Sequence, residues 1–172
     1  MKMNPLENIK RKDVHTISFL VANKPGVLVR VAQVFARRAY NIDSLVVSES
    51  VNPKYSRMTI TATGDPQTLE QIIKQSAKLV DVIHVSEHTG KDSVTREFAL
   101  FKLKLSSAKK SAILKFIKKN AHVVDEHQGI LIVGKTGTTL QLDEFEQGIK
   151  SFGIIEMVRS GKLVMAVGKE TT

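Results

Sequence analysis

Residues 14–50, VHTISFLVANKPGVLVRVAQVFARRAYNIDSLVVSES, decide how the rest of the chain is read. His15 to Ala22 is rich in β-branched and apolar residues and predicts a strand. Asn23-Lys24-Pro25-Gly26 interrupts it with four residues that favour a turn. From Val27, apolar residues recur at Leu28, Val31, Ala32, Phe35 and Ala36, while Arg30, Gln33, Arg37 and Arg38 fall on the other side, the period of a helix packed on a sheet. Tyr40-Asn41 ends that helix, and Ile42 to Ser48 predicts a second strand. A strand, a tight loop and a helix returning to a strand put the helix N-terminus beside a strand end.

That placement has a chemical meaning. The first N–H groups of a helix lack intrahelical partners and carry partial positive charge, so a loop that leaves them open offers a place for a carboxylate or phosphate. Gly26, without a side chain, lets an anion approach the peptide plane, and Pro25 removes one donor while stiffening the loop. Asn23 offers both an amide donor and a carbonyl acceptor, which suits a zwitterion better than a simple anion. The plain alternative is that N-x-P-G is only a turn.

The run ANKPGVLVRVAQVFARRAYNIDSL, then SRMTI at Ser56 to Ile60 and KLVDVIHVSE at Lys78 to Glu87, resembles the regulatory (small) subunit of acetolactate synthase, a family with an N-terminal ACT domain. The match runs in order from about Val14 to His88 and rests on N-x-x-G-x-L-x-R, Y-N-I-x-S-L and S-R-M-T-I together. Ala39 stands where the family usually has a glycine before the aromatic residue.

With 172 residues and 42% hydrophobic content the chain can build one ordinary domain or two small ones. It has no cysteine, hence no disulfide framework and no thiolate metal site. The polar tail, residues 1–13, lacks the apolar core of a signal peptide, and no later run reaches membrane-span length, so the expectation is a soluble cytoplasmic protein. The net charge of +9 is spread evenly: twelve basic against eight acidic residues give +4 for residues 1–90, and fourteen against nine give +5 for residues 91–172. The densest cluster, Lys109, Lys110, Lys115, Lys118 and Lys119, alternates with Ala112, Ile113, Phe116 and Ile117. It reads first as the solvated face of a helix, next as a surface for an acidic protein, and last as a nucleic-acid surface, because no aromatic residues able to stack on bases are interleaved with it.

Tyr55 to Thr63 predicts a strand pairing with Ile42 to Ser50 as a hairpin. A helix with Pro66 at its start and Leu69, Ile72, Ile73 and Ala77 as its stripe follows, and Val80 to Ser86 closes the unit. The fold class is therefore α+β: a ferredoxin-like βαββαβ unit over residues 14–88, repeated after a linker at 89–95 in residues 96–172. In the repeat, Phe98 to Leu105 predicts a strand, Ala108 to Lys119 a helix, His122 to Asp125 with Ile130 to Gly134 a hairpin, Leu140 to Lys150 a helix, and Ile154 to Val158 plus Leu163 to Val167 the last strands. Its loop Ser106-Ser107-Ala108 has neither glycine nor asparagine, so no second ligand loop is expected. The resemblance agrees that a C-terminal ACT-like domain serves assembly; at residue level it is carried there by REFALFKLK and by VRSG at Val158 to Gly161.

No catalytic constellation is visible. His84 and His88 share strand parity, but the ordinary account is one histidine on the pleat and one in the linker, with no metal site. Gly134-Lys135-Thr136-Gly137 lacks the spacing of a phosphate loop and reads as a turn.

The resemblance implies a subunit that is no enzyme by itself. It would activate a thiamine-diphosphate-dependent catalytic (large) subunit in branched-chain amino acid biosynthesis and mediate allosteric feedback inhibition by a branched-chain amino acid, valine before leucine or isoleucine. Thiamine diphosphate, Mg2+ and FAD would belong to the catalytic subunit and no cofactor to this chain. The resemblance further implies a homodimer in which ACT domains pair side by side and the effector lies between them. Asn23, Pro25, Gly26, Val27 and Leu28 would line the effector on one side, with Asn41 and Ile42 from the partner chain. Leu28 and Ile42 also read as core residues, and Asn41 as a helix cap. The loop from Val51 to Arg57, with Tyr55 and Arg57, is the expected contact with the catalytic subunit. Rival readings are a free-standing ACT sensor of another enzyme or transcription factor, and a nucleic-acid binder, whose affinity would fall steeply with salt.

Overall fold

The computed structural model describes residues 14–88, 91–105, 110–169 and Thr172; the tail at 1–13 and the loop Ser106-Ser107-Ala108 lie outside the described residues. The chain divides into two units, one running to Thr95 and joined by Lys162–Thr172, the other Arg96–Gly161.

In the first unit β1 (Val14–Ala22), α1 (Val27–Ala36), β2 (Ser44–Glu49), β3 (Tyr55–Thr63), α2 (Pro66–Ser76) and β4 (Val82–His88) follow in order. The sheet is antiparallel in the order β2-β3-β1-β4, the arrangement expected of βαββαβ. Alternation along β1 sends Ile17, Phe19 and Val21 to the helix side, where Ile17 lies opposite Ile60 and Phe19 opposite Met58, all fully buried. Val27, Val31, Val34 and Phe35 of α1 and Leu69 and Ile72 of α2 complete this core.

The buried stripe of α1 is turned from the one that counting apolar residues suggested. Val27 and Val34 go inward, whereas Leu28, at 40% exposure, and Ala36 face outward. Val27, Val31 and Val34 stand at i, i+4 and i+7 and make a narrower face that joins one core with the sheet and with Leu69 and Ile72 of α2. On α2, Ala77 lies beyond the last turn and Ser76 takes the buried place.

The second unit repeats the order with β5 (Ser93–Lys104), α3 (Lys110–Asn120), β6 (His122–His127), β7 (Ile130–Gly137), α4 (Thr139–Ile149), a 3-10 turn at Lys150–Phe152 and β8 (Ile154–Arg159). Its sheet order is β6-β7-β5-β8. Phe101, Leu103, Leu131, Val133, Ile113, Ile117, Leu142 and Phe145 form a separate core. Gln128 and Gly129, both at positive φ, make the two-residue turn of the β6–β7 hairpin. REFALFKLK and VRSG, far apart in sequence, meet here: Arg159 Nη1 is 3.8 Å from the buried carboxylate of Glu97, and its Nη2 reaches Asp143 at 2.6 Å and Glu146 at 3.3 Å.

One expectation is corrected. Gly134-Lys135-Thr136-Gly137 is not a turn but the end of β7. Gly134 is glycine because His122 lies opposite it, stacked on Phe98, and a Cβ at that position would collide with the imidazole. The last strand, β9 (Leu163–Ala166), follows Gly161, at φ 83°, and pairs with β5, and Val167 N–H donates to the Asp92 carbonyl at 2.9 Å. Among the described residues no helix is long and apolar enough to cross a membrane.

Candidate functional site

The loop between β1 and α1 is built from its backbone. Lys24 N–H donates to the Ala22 carbonyl at 3.0 Å and Arg30 N–H to the Gly26 carbonyl at 3.1 Å, which starts the helix. Gly26 stands at the N-cap in the left-handed region, φ 82°, a conformation that costs a residue with a Cβ about 1–2 kcal/mol. A Cβ there would also lie 3.0 Å from Arg30 Nη1. No side chain caps α1 and no acid occupies its first turn. By contrast α2 is capped by Asp65, which accepts from Thr68 N–H at 2.7 Å, and α4 by the reciprocal pair of Thr138 and Gln141. The partial positive charge at the start of α1 is thus unmet by any side chain within the described residues.

Two groups flank this opening that the sequence did not connect with it. Arg30, one turn into the helix, folds back toward Gly26 and pairs with Asp81 at 2.6 Å. Asp81 in turn accepts, through its backbone carbonyl, from Ala22 N–H at 2.8 Å. The other link is Asn23, whose N–H donates to the Lys54 carbonyl at 2.8 Å and whose side-chain amide donates to the Pro53 carbonyl at 3.0 Å and to Glu49 at 3.4 Å. The loop and the tip of the β2–β3 hairpin are therefore fastened to each other. The amide nitrogen of Asn23 is the group so used, which leaves its carbonyl oxygen to accept.

Asn23, Pro25, Gly26 and Leu28 are exposed around the opening, while Val27, 4% exposed, contributes only its backbone because its side chain is in the core. Asn41 is exposed and donates to Asp43 at 3.1 Å; it does not cap α1, whose C-cap is Arg37. Ile42 packs against the core as a partly buried residue. Asn41 and Ile42 stand beyond the opposite end of α1 from Gly26, about 15 Å away along ten residues at 1.5 Å each. Within one chain the two groups are not together.

Tyr55 and Arg57 belong to β3 rather than to the loop. Tyr55 N–H closes the tip by donating to the Asn52 carbonyl at 3.0 Å, and the guanidinium of Arg57 donates to the Thr172 carbonyl, so Arg57 already has a partner within the first unit. Only the tip before Tyr55 projects.

His84 and His88 also depart from expectation, since both lie in β4, opposite Leu20 and Thr16, on the sheet face away from the helices. The reason is that β4 runs two residues further than its apolar pattern indicates, held by its ladder to β1. His88 Nε2 is 2.6 Å from Ser18 Oγ and His84 Nε2 is 2.6 Å from Ser86 Oγ. Burial, with a smaller contribution from His84, pushes the His88 imidazole below its ordinary value, and Asp92 opposes them. Among the described residues no group of three or more histidine, cysteine or acidic side chains is arranged to hold a metal.

Comparison with known proteins places both units. Residues 17–84 match the family model of the AHAS small subunit-like ACT domain, and residues 96–168 that of the small subunit of acetolactate synthase. The chain is 41% identical over 161 residues to a probable acetolactate synthase small subunit of Methanothermobacter thermautotrophicus, covering 92% of this chain and 96% of that one. It is 39% identical over 155 residues to the acetolactate synthase small subunit of Mycobacterium bovis, covering 90% and 92%. The crystal structure of the acetolactate synthase small subunit from Thermotoga maritima superposes with a TM-score of 0.81 at 34% identity, over 91% of this chain and 99% of that one.

Proposed function

The chain belongs to the acetolactate synthase small-subunit family, and on that premise we propose that it binds and activates the catalytic subunit of that enzyme and mediates its feedback inhibition by a branched-chain amino acid, foremost valine. The observation that carries this reading is the uncapped start of α1 beside a left-handed Gly26. A free amino acid brings a carboxylate, an ammonium group and a side chain, and the loop has a counterpart for each. The carboxylate meets the open amides of the first turn and the guanidinium of Arg30. The ammonium group donates to the Asn23 carbonyl oxygen. The aliphatic side chain covers Leu28.

A second copy completes the site. β2 ends the first sheet with no neighbour on its outer side among the described residues, and its Leu45 and Val47 are about two-fifths exposed. Pairing of two β2 edges gives an eight-stranded sheet and removes both free edges. Antiparallel pairing of this kind brings Asn41 and Ile42 of one chain toward the loop of the other, which a single chain's geometry does not allow. Valine bound across the seam favours one arrangement of the pair, and inhibition reflects its differential affinity for the two arrangements. Thiamine diphosphate, Mg2+ and FAD belong, on this reading, to the catalytic subunit.

The test is reconstitution. Co-purification with the catalytic subunit, followed by assay with and without valine, should show higher activity in the complex than in the catalytic subunit alone and loss of that gain as valine is added. A catalytic subunit that neither binds the chain nor responds to it would refute the proposal.

A further inference from the structure

The second unit leaves a strand edge and a groove open side by side. β6 ends its sheet, paired only with β7 among the described residues, and all six of its residues are exposed, Val123 at 46% and Val124 at 52%. An exposed edge with unpaired N–H and C=O groups is a template for another strand unless something covers it. Between β6 and α3 lies a cavity of about 380 Å³ lined by Leu114, Ile117, Ala121 and Val123, with Lys118 and His122.

Charge says what kind of chain fits. α3 carries Lys110, Lys115, Lys118 and Lys119 and no acid. Lys110 is committed to Glu126 at 2.7 Å, near the turn end of β6. Lys115, Lys118 and Lys119 are exposed and form no ion pair among the described residues. Lys118 lines the groove and Lys119 follows it at the end of α3 that leads into His122 and Val123, with Lys115 one turn earlier. Residues 110–127 together hold four lysines against Asp125 and Glu126, so two copies meeting here would join surfaces of like net charge. Lysines beside an edge strand discourage self-pairing, but they attract an acidic segment.

We propose that this edge and groove dock an extended segment of another polypeptide, with alternating apolar residues and an acidic cluster at one end. The segment adds a strand beside β6, its apolar side chains enter the groove over Val123, and its acidic end meets Lys115, Lys118 and Lys119. The mode is strand addition, in which the main chain supplies affinity and side-chain pockets supply selectivity. It is independent of the effector loop, which lies in the other unit.

The probe is the labelled peptide acetyl-EEEVTVTV-amide, with acetyl-KKKVTVTV-amide as its charge-inverted control, titrated into the full chain by fluorescence anisotropy. The acidic peptide should bind at least tenfold more tightly than the control and slow amide exchange along residues 122–127. The triple substitution K115E, K118E and K119E, confined to exposed side chains, should reverse the preference. Equal binding of the two peptides, an unchanged preference in the triple variant, or unaltered exchange along β6 would overturn the proposal. So would a concentration-dependent dimer that Val123→Asp dissolves, because a second copy would then occupy the edge.

Discussion

The side-chain amide of Asn23 donates to the backbone carbonyl of Pro53 at 3.0 Å, joining the loop that opens α1 to the tip of the β2–β3 hairpin. An effector that recruits Asn23 therefore acts on a residue already fastened to the element that projects from the sheet, and each contact biases the other.

Substitution of Asn23 separates the two roles proposed for this chain. In Asn23→Asp the donor to Pro53 is lost and a carboxylate is placed beside Glu49 and in the path of the ligand's own carboxylate. Valine sensitivity of the reconstituted enzyme should fall at least tenfold while activation persists. An inhibition curve identical to that of the unaltered protein would remove Asn23 from the site.

Ala39 has φ 51°, in the left-handed region that favours glycine. The left-handed conformation costs alanine about 1–2 kcal/mol, and part of the relief on replacement is offset by the greater freedom of glycine in the unfolded chain. Ala39→Gly should stabilise the first unit by about 0.5–1 kcal/mol, read as a rise in the denaturant midpoint at unchanged slope. A fall in the midpoint would contradict this.

His88 gives the first unit a pH dependence of definite sign. Its side chain is 6% exposed and its folded value lies below the ordinary 6.5, chiefly through burial. The unfolded chain therefore takes up the proton first. This contribution is fully present above pH 6.5 and is lost as the pH falls below it and through the folded value. Melting temperature should drop between pH 7.5 and 5.5 more steeply in the unaltered protein than in His88→Gln, whereas parallel curves would show that His88 does not contribute.

Much of this architecture is legible in the chain because its signals are local. Pro66 and Asp65 mark the start of α2, Gln128-Gly129 marks a tight hairpin, and period-two alternation marks β1 and β3. Signals that depend on partners distant in sequence are not. The core takes Val27 and not the equally apolar Leu28, and the pairing of Arg30 with Asp81 spans 51 residues. His88 is held in β4 by Thr16 and Ser18 of β1, which no local pattern in VIHVSEH announces. Gly134 looked like a turn residue because glycine usually is one, while its actual neighbour is the His122 ring. For the candidate site, the spacing of Asn23, Pro25 and Gly26 located the loop, but the fastening of Asn23 to the hairpin came only from the fold.

Calorimetric titration of valine into the full chain, unaltered and as Gly26→Asp, tests the central claim most directly. A carboxylate at a left-handed position beside Arg30 both strains the loop and repels the ligand. The account predicts saturable binding to the unaltered protein and none to a folded Gly26→Asp variant. Equal valine binding by both, or none by the unaltered chain, would contradict it.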